Sequence, residues 1–399
     1  MSDTQVLVAG GGLAGCLTAC LLHDRGVDVM IVDQHGEAMQ GASRWNEGKV
    51  HFGYTYVGTD SVRTAELMLA GATAFHPILE RVIGGRLAAD VFTDRITYLV
   101  DTGSIFPAET LWQRTLAVHR LVEEAISQSP ALVAGLPDQR LVRLDPEEAA
   151  AATRQSNVAA AWSTPERALS ARVLADIVAA AVHDRGIPVV RAVVDAVTRQ
   201  DGEWQMSTSG GLLCSRVAVN ALWEGRSRID RPFREPHPVS IRWKAGIFAR
   251  RQTQFAGVTP STRILGGFGD VTPYNNGDVY LGWYPSNMIA RSDTGAPPAI
   301  PAFDRSEMLR QTLEGLRFPA SILDDVDPET CVQGGYVVAQ GSGDIYEIAS
   351  PLHERAAAFA VELAPGLVSV DTGKLTTAPL FADRAARLVL ARLGMEVAA

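Results

Sequence analysis

The chain has 399 residues, of which 47% are hydrophobic and 20% are charged, a composition typical of a globular protein with two or three domains. Its net charge of −9 disfavours nucleic acid and acidic membranes as partners, and no apolar run approaches the roughly 18 residues of a membrane span. Four cysteines without a Cys-x-x-Cys spacing argue against a disulfide framework or a metal site, so we expect a reducing cytoplasm.

The first 34 residues predict a β-strand, helix and strand that bind a dinucleotide. In the fingerprint Gly10-x-Gly12-x-x-Gly15, the three glycines provide a tight turn, close approach of backbone to a pyrophosphate, and close packing of helix on strand. The free N–H groups of the helix N-terminus attract phosphates, and Asp33 ends the second strand, where it would bind a ribose. Predicted dinucleotide contacts are Gly10, Gly12, Leu13, Ala14, Gly15, Asp33 and Gln34.

The fingerprint leaves NAD, NADP and FAD open. Asp33 disfavours NADP, because a 2′-phosphate would bring a second negative charge to the carboxylate.

Helices and short strands alternate over the next two hundred residues. Asp145 and Pro146 predict the N-cap and first residue of a helix that runs to about residue 152, and Gly186 ends a later helix. Asp201-Gly202 predicts a hairpin turn. Other helical patterns cover residues 64–82, 108–128 and 169–185, and strand patterns cover residues 91–99, 188–197, 203–208 and 217–221.

Residues 236–322 change to alternating strands, with Asn276-Gly277 as a hairpin turn, and therefore predict an antiparallel sheet in a second domain. The C-terminal part returns to strand, glycine turn and helix. We expect an α/β fold in which residues 1–90, 150–235 and 330–399 form a discontinuous nucleotide-binding domain. Residues 91–149 and 236–329 would form the substrate-binding domain.

A second motif, residues 42–56, follows the fingerprint. It contains Asn46-x-Gly48-x-x-His51-x-Gly53-x-x-Tyr56. With the fingerprint, it resembles the FAD-dependent oxidoreductases of the D-amino-acid-oxidase superfamily, and most of all L-2-hydroxyglutarate dehydrogenases and oxidases. The resemblance implies FAD as cofactor, with Ser43, Asn46 and Gly48 beside the flavin. It also implies a Rossmann-like domain of the glutathione-reductase type with an antiparallel-sheet substrate domain.

Three later segments resemble the same superfamily: Val194-x-x-Val197 after Gly186, the strand 217–221, and the turn 371–376. They imply further FAD contacts at Val194, Ala221, Gly373, Lys374, Leu375 and Thr376. Two segments depart from the superfamily pattern. Trp223-Glu224-Gly225 replaces the usual Ala-Gly-x-Trp order, and Gly334-Gly335-Tyr336-Val337 lacks the arginine that holds an amino acid's carboxylate. The missing arginine disfavours a simple α-amino acid as substrate.

Two residues are candidates for catalysis. His51 can accept a proton from a hydroxyl or amine as hydride leaves, although a histidine bonded to a loop carbonyl is the alternative. Lys374 can stabilise negative charge on the reduced ring, although a solvated loop lysine is the alternative.

Five residues are candidates for binding substrate. Lys49 lies in the flavin-proximal motif and could bind an acidic substrate or stay in water. Arg242 and Lys244 share one face of a strand and could hold a carboxylate, phosphate or sugar acid, or face solvent. The substrate-binding candidates are Lys49, Arg242, Lys244, Tyr284 and Tyr336. Cys331 lies near where monomeric sarcosine oxidases attach flavin, but a buried free cysteine is the simpler interpretation.

The sequence thus predicts an FAD-dependent oxidoreductase that removes a hydride from a CH–OH carbon of a small polar metabolite to give a ketone. Oxidation of an amine or imino acid at a CH–NH carbon is the alternative, and a flavin monooxygenase is a more distant one. The electron acceptor is oxygen or another compound, and the sequence leaves it and the oligomeric state open.

Overall fold

The structure, a computed structural model, describes residues 4–133, 138–235, 237–250, 253–323 and 326–396. Within these residues the chain forms helices α1 Leu13–His23, α2 Arg63–Ile83, α3 Ala108–Gln128, α4 Pro146–Thr153, α5 Ala171–Asp184, α6 Arg226–Asp230, α7 Tyr284–Asn287, α8 Arg305–Gly315, α9 Pro328–Cys331 and α10 Ala378–Arg392.

The strands of the described residues are β1 Val6–Ala9, β2 Val29–Asp33, β3 Lys49–Val50, β4 Thr97–Asp101, β5 Val142–Leu144, β6 Val158–Ser163, β7 Arg167–Ala168, β8 Val189–Arg191, β9 Val194–Gln200, β10 Glu203–Thr208, β11 Gly211–Ser215, β12 Val217–Asn220, β13 Val239–Arg250, β14 Ser261–Ile264, β15 Gly269–Pro273, β16 Asp278–Trp283, β17 Met288–Ser292, β18 Val332–Gln340, β19 Phe359–Ala364 and β20 Leu367–Asp371.

The first sheet has six strands in the order β19-β20-β12-β1-β2-β8, parallel except for the edge strand β19. All four residues of β1 are buried, as expected for a parallel strand covered on both faces. Helix α1 is apolar around most of its circumference, because it packs on this sheet and against α5 and α10. The antiparallel sheet β11-β10-β9 adds a separate layer beside it.

The second large sheet has nine strands in the order β17-β13-β16-β15-β14-β4-β6-β5, with β18 also on β13. Its described pairs are antiparallel except β4 with β14. It includes β6 and β18, which come from ranges that the sequence-based division assigned to the nucleotide-binding domain. The sheets therefore do not follow those boundaries, since β6 and β18 pair with β4 and β13 over long sequence separations.

Local predictions agree with the structure where a turn or a cap decides the conformation. The Asp145 carboxylate accepts hydrogen bonds from two backbone N–H groups of α4, and Pro146 is its first residue. Residues 91–96 differ from the predicted strand, which begins only at Thr97. That segment instead makes irregular backbone hydrogen bonds to residues 166 and 168, so it cannot join the ladder of β4.

The largest hydrophobic cluster joins α1, α2, α5 and α10 to both sheets, and a second one lies between the nine-stranded sheet and α8. Among the described residues, no helix combines the length and the apolar character needed to cross a membrane.

Candidate active site

A cavity of about 640 Å³ opens where the parallel strands β1, β2, β12 and β20 end. The carboxyl edge of such a sheet is the usual place for a ligand. The cavity begins near Asp33 and extends to Lys49, His51 and Lys374. The predicted cofactor contacts that line it are Gly10, Gly12, Leu13, Ala14, Asp33, Gln34, Ser43, Asn46, Val194, Ala221, Gly373, Lys374 and Leu375.

The glycine turn leaves no room for side chains. Gly10 has φ +103°, and a Cβ there would lie 2.5 Å from the carbonyl oxygen of Ala221. A Cβ on Gly15 would lie 1.9 Å from the carbonyl oxygen of Gly10, so helix α1 could not pack as closely on the turn. Ser43 caps the helix although it lies 30 positions further along the chain, since its Oγ accepts a hydrogen bond of 2.9 Å from the Leu13 N–H.

Asp33 organises the end of the cavity where a ribose is expected. Its two carboxylate oxygens accept hydrogen bonds from the backbone N–H groups of Gly11 (2.8 Å) and His35 (2.9 Å). The helix N-terminus, the side-chain-free turn and this acid lie along one cavity. They fit the pyrophosphate and ribose of a dinucleotide.

We expect Gly10→Ala to abolish retention of the flavin that the sequence predicts, because the methyl group would meet the Ala221 carbonyl in a strained left-handed conformation. The measurement is the flavin released per protein on denaturation. Gly85→Ala is the control, since a Cβ there meets nothing within 4 Å and its φ is not positive. Full flavin content in Gly10→Ala would contradict the assigned turn.

Three predicted cofactor contacts, Gly15, Gly48 and Thr376, do not line the cavity. Gly48 has φ +66°, and a Cβ there would lie 1.7 Å from the carbonyl oxygen of Leu169. Asn46 shapes the same loop, because its Oδ1 accepts a 2.8 Å hydrogen bond from the Gly48 N–H. The Thr376 Oγ1 accepts from the His51 N–H (2.8 Å), and its hydroxyl donates to the Lys49 carbonyl (3.1 Å). These residues hold the loops that form the wall.

His51 is buried at the cavity wall and pairs with Glu166, a carboxylate of zero exposure. The distance from His51 Nδ1 to Glu166 Oε1 is 3.0 Å. Glu166 also accepts hydrogen bonds from the Tyr98 hydroxyl (2.6 Å) and the Phe52 N–H (2.8 Å). Because an ionised carboxylate can only accept hydrogen bonds, this contact favours the His51 tautomer with its hydrogen on Nδ1, which leaves the lone pair of Nε2 available.

The predicted substrate cations form a network beside the cavity. Lys49 is ion-paired with Asp270, and Lys244 Nζ lies 3.7 Å from the same carboxylate. Arg242 is 3% exposed and donates a 2.7 Å hydrogen bond to the Tyr284 hydroxyl. Of the five predicted substrate residues, Lys49 and Tyr336 line the main cavity. Arg242, Lys244 and Tyr284 lie together and do not line it.

Lys374 is the second predicted catalytic residue, and it lines the cavity at the far end. Burial, with smaller contributions from Arg355, Lys244 and Lys49, lowers its pKa to about 8, although Glu47 acts in the opposite direction. The amine is therefore mostly charged at neutral pH and loses its charge just above it. Burial and Arg242 likewise lower the pKa of Arg355 to about 10.

The segment that departs from the superfamily pattern turns through Trp223, which has φ +54°. Its indole N–H donates a 2.8 Å hydrogen bond to the Tyr336 carbonyl, which fixes β18 against this turn. The Tyr336 hydroxyl donates to the Pro298 carbonyl (3.1 Å). Glu224 lines the cavity, where burial, with a contribution from Asp33, raises its pKa to about 7.

Sequence reasoning missed four charged residues of this region: Glu47, Glu166, Asp270 and Arg355. Glu47 lies within the flavin motif and could have been noticed as a carboxylate between Asn46 and Gly48. The others lie far along the chain from their partners and carry no local signal. Cys331, by contrast, packs in the core beside the nine-stranded sheet and does not line the cavity.

Comparison with known proteins agrees with the geometry. The family model described as FAD dependent oxidoreductase matches residues 5–388. A KsdD-like steroid dehydrogenase from Mycolicibacterium smegmatis is 45% identical over 53 residues, which is 13% of this chain and 10% of that protein.

Solved structures share the fold at low sequence identity. Glycine oxidase from Geobacillus kaustophilus superposes with a TM-score of 0.65 at 16% identity, over 99% of this chain and 95% of that one. Iminodiacetate oxidase from Chelativorans sp. BNC1 gives 0.64 at 17%, over 99% and 97%. L-proline dehydrogenase from P. horikoshii gives 0.65 at 15%, over 99% and 94%. With the family model covering nearly the whole chain, this protein belongs to the FAD dependent oxidoreductase family and uses FAD as its cofactor.

Proposed function

We propose that this oxidoreductase oxidises a CH–OH carbon of a small anionic metabolite to a ketone. The observation that supports it most is the pairing of His51 with Glu166 at the cavity wall, since an alcohol must lose its hydroxyl proton to a base. The resemblance of residues 46–56 to L-2-hydroxyglutarate dehydrogenases and oxidases supports the same reaction class.

The residues around the cavity favour an anionic substrate. Lys374 lines it, while Lys244, Arg242 and Arg355 lie close enough to act on one another's charges. Asp270 pairs with Lys49 and lies 3.7 Å from Lys244, whereas no carboxylate of the described residues forms an ion pair with Lys374. Burial lowers the pKa of Lys244, but Tyr280, Asp270 and Glu47 outweigh it and hold the ammonium charged.

When bound, FAD would supply the acceptor for the hydride that leaves the carbon. The hydroxyl proton passes to Nε2 of His51 as the C=O bond forms, so substrate loses one hydride and one proton. Glu166 fixes the ring orientation and stabilises the resulting imidazolium. Tyr98 and Phe52 hold that carboxylate in place through their own hydrogen bonds.

Oxidation of a CH–NH carbon is the second candidate. It is supported by the fold shared with glycine oxidase, iminodiacetate oxidase and L-proline dehydrogenase. An amine that binds in its neutral form needs no base, so His51 would then contribute little. A flavin monooxygenase is the more distant alternative and would require reduction by NAD(P)H.

The same proposal includes the finer architecture. We assign the six-stranded sheet and the three-stranded sheet to a Rossmann-like FAD domain of the glutathione-reductase type. The nine-stranded sheet is assigned to a substrate domain, and oxygen or an unidentified compound is assigned the role of electron acceptor.

Anaerobic mixing of the holoenzyme with hydroxy acids and the matching amino acids tests the reaction. Bleaching of the flavin absorbance by a hydroxy acid, with the 2-oxo acid as product, is the expected result. Bleaching only by amino acids would favour the second candidate. Bleaching only by NAD(P)H would favour a monooxygenase and overturn the proposal.

The charge of Lys374 predicts a pH dependence for anion binding. Because the pKa of Lys374 is about 8, its positive charge is present below that pH and is lost as pH rises through it. We expect the holoenzyme to bind propionate, followed by flavin absorbance, more weakly above pH 8. Lys374→Met should bind it weakly at all pH values and lose this dependence; an unchanged profile in the variant would rule out Lys374 as the anion contact.

A further inference from the structure

Several buried polar atoms have no hydrogen-bond partner among the residues that the structure describes, and four of them belong to side chains that interact with one another. They are Nε of Arg242, Nε of Arg355 and the hydroxyls of Tyr56 and Tyr346. All four atoms can donate a hydrogen bond. A buried donor without an acceptor is destabilising, so a group of them indicates a place that is completed by a ligand rich in acceptors.

Tyr284 and Phe268 connect two of these side chains. The Tyr284 hydroxyl accepts a 2.7 Å hydrogen bond from Arg242, and the centre of its ring lies 6.1 Å from that of Phe268. The Phe268 ring lies 5.7 Å from the ring of Tyr346. Burial, with a contribution from Tyr284, raises the pKa of Tyr346 to about 12, so the Tyr346 hydroxyl keeps its hydrogen at neutral pH.

Arg355 connects these residues to the proposed base. Burial and the charge of Arg242 lower the pKa of Arg355 to about 10, whereas Tyr56 acts in the opposite direction. The centre of the Tyr56 ring lies 5.6 Å from that of the His51 ring and 6.0 Å from Lys374 Nζ. The unpaired atoms of Arg242, Arg355 and Tyr56 therefore belong to neighbouring side chains, and these lie beside His51.

The two arginines bring positive charge that the protein does not neutralise locally. Within the part of the chain that the structure describes, neither forms an ion pair; Arg242 donates to Tyr284, and Arg355 donates to the carbonyl of the residue before it (3.2 Å). Asp371 acts on the charge of Arg355, but its carboxylate already accepts a 2.8 Å hydrogen bond from Arg226. Buried charges without a counterion are costly, so an anionic ligand would be stabilised here.

Strand pairing places Arg242 beside the cofactor cavity. Arg242 of β13 lies directly opposite Val337 of the antiparallel strand β18, so the two side chains share one face of the sheet, and Val337 lines the cavity of about 640 Å³. Residues 334–337 are the segment that lacks the superfamily's arginine, and β13 supplies a guanidinium next to it. Arg355 lines a second cavity, of about 260 Å³, which shares Gly373 with the main one.

We infer that Arg242, Arg355, Tyr56 and Tyr346 bind the carboxylate of the substrate. The inference rests on the proposed function, which supplies an anionic substrate whose hydroxyl faces His51. An ionised carboxylate has about four acceptor positions on its two oxygens, which matches the four donors.

The position of the four donors also indicates the substrate class and the way in. Because Tyr56 contacts His51, the carboxylate would lie next to the oxidised carbon, as it does in a 2-hydroxy acid. The four atoms are closed to solvent in this structure. Tyr346 and Arg355 both lie in the connection between β18 and β19, residues 341–358, so this connection must shift to admit the acid and then covers it.

Two ligands of the same shape test the inference on the FAD-loaded protein. Propionate carries the carboxylate, whereas propionamide is neutral and has a donor in place of one acceptor oxygen. Calorimetric titration measures the binding of each and requires no turnover. In wild type we expect propionate to bind more tightly than propionamide.

Arg242→Met and Arg355→Met should each weaken propionate about 10–100-fold, as expected when a hydrogen bond to a charged group is lost, and should leave propionamide nearly unchanged. Tyr346→Phe removes one hydroxyl and keeps the ring against Phe268, so propionate should weaken about 2–10-fold. Arg86→Met, at an exposed arginine, is the control. FAD content and urea unfolding show whether each variant is folded.

Wild type that binds propionate no better than propionamide would overturn the inference. The same holds if Arg355→Met and Tyr346→Phe keep the selectivity of wild type, or if they lose both ligands equally. Should an arginine variant fail to retain FAD, Tyr346→Phe decides alone. Hydroxy acids that do not bleach the flavin, together with propionate binding that depends on both arginines, would count against the proposed reaction and support the carboxylate site.

Discussion

Replacing His51 with asparagine is expected to slow flavin reduction by the best hydroxy acid about 10²–10⁴-fold, the usual contribution of a positioned base. The physical reason is that Nε2 would no longer be present to accept the hydroxyl proton. FAD content should be unchanged, because His51 is tied to Thr376 through its backbone N–H, which asparagine retains. Stopped-flow absorbance under anaerobic conditions measures the rate constant.

Two further variants sharpen that result. Glu166→Gln should slow the same step, and the double variant should be no slower than the slower single one, because the two residues act as one unit. His76→Asn is the matched control, since His76 sits between Phe75 and Phe92 and does not line the cavity. A loss below about tenfold in His51→Asn would point to an amine substrate or to another base.

Replacing Arg226 with methionine is expected to reduce the free energy of unfolding by about 3–5 kcal/mol, as when one partner of a buried ion pair is removed. Arg226 is 1% exposed and donates hydrogen bonds to Asp230 Oδ2 (2.6 Å) and Asp371 Oδ2 (2.8 Å). Without the guanidinium, two buried carboxylates would face each other uncompensated. Urea unfolding of the holoenzyme at fixed FAD concentration measures the change.

Arg310→Met is the comparison for Arg226. Arg310 also contacts two carboxylates, Glu307 and Glu314, but on the exposed surface of α8. Solvent screens such pairs, so its removal should leave the free energy of unfolding nearly unchanged. Equal effects at the two positions would mean that the Asp230–Arg226–Asp371 network does not stabilise the packing of α6 against the end of β20.

The parts of the fold that sequence alone predicted are governed by local chemistry. The turn at Gly10 and the cap at Asp145 follow from residues a few positions apart, because each of these residue types favours a particular local backbone conformation. The strand pairing within the nine-stranded sheet could not be predicted from the sequence. Strand β13 pairs with β16, β17 and β18, and no local sequence pattern specifies that arrangement.

The residues of the candidate site also fall into two groups, those predicted from a local sequence pattern and those found only in the structure. The cavity-lining residues near the fingerprint were predicted because glycine spacing limits where a dinucleotide can bind. His51 and Glu166 are 115 positions apart, and Lys49 and Asp270 are 221 apart. A single sequence contains no pattern that relates such distant charges, so the partners of His51 and Lys49 became visible only in three dimensions.

The turn at residues 371–376 has a consequence for how the protein is made. Gly373, Lys374 and Leu375 line the same cavity as Gly10 and Gly12, and α10 then packs on α1. On the ribosome, the glycine fingerprint emerges first, and the last wall of the cofactor site emerges only after the strands and helices between them. Stable capture of FAD is therefore expected only after residues 371–376 and α10 have emerged, and the cofactor would then join two segments that are far apart in the sequence.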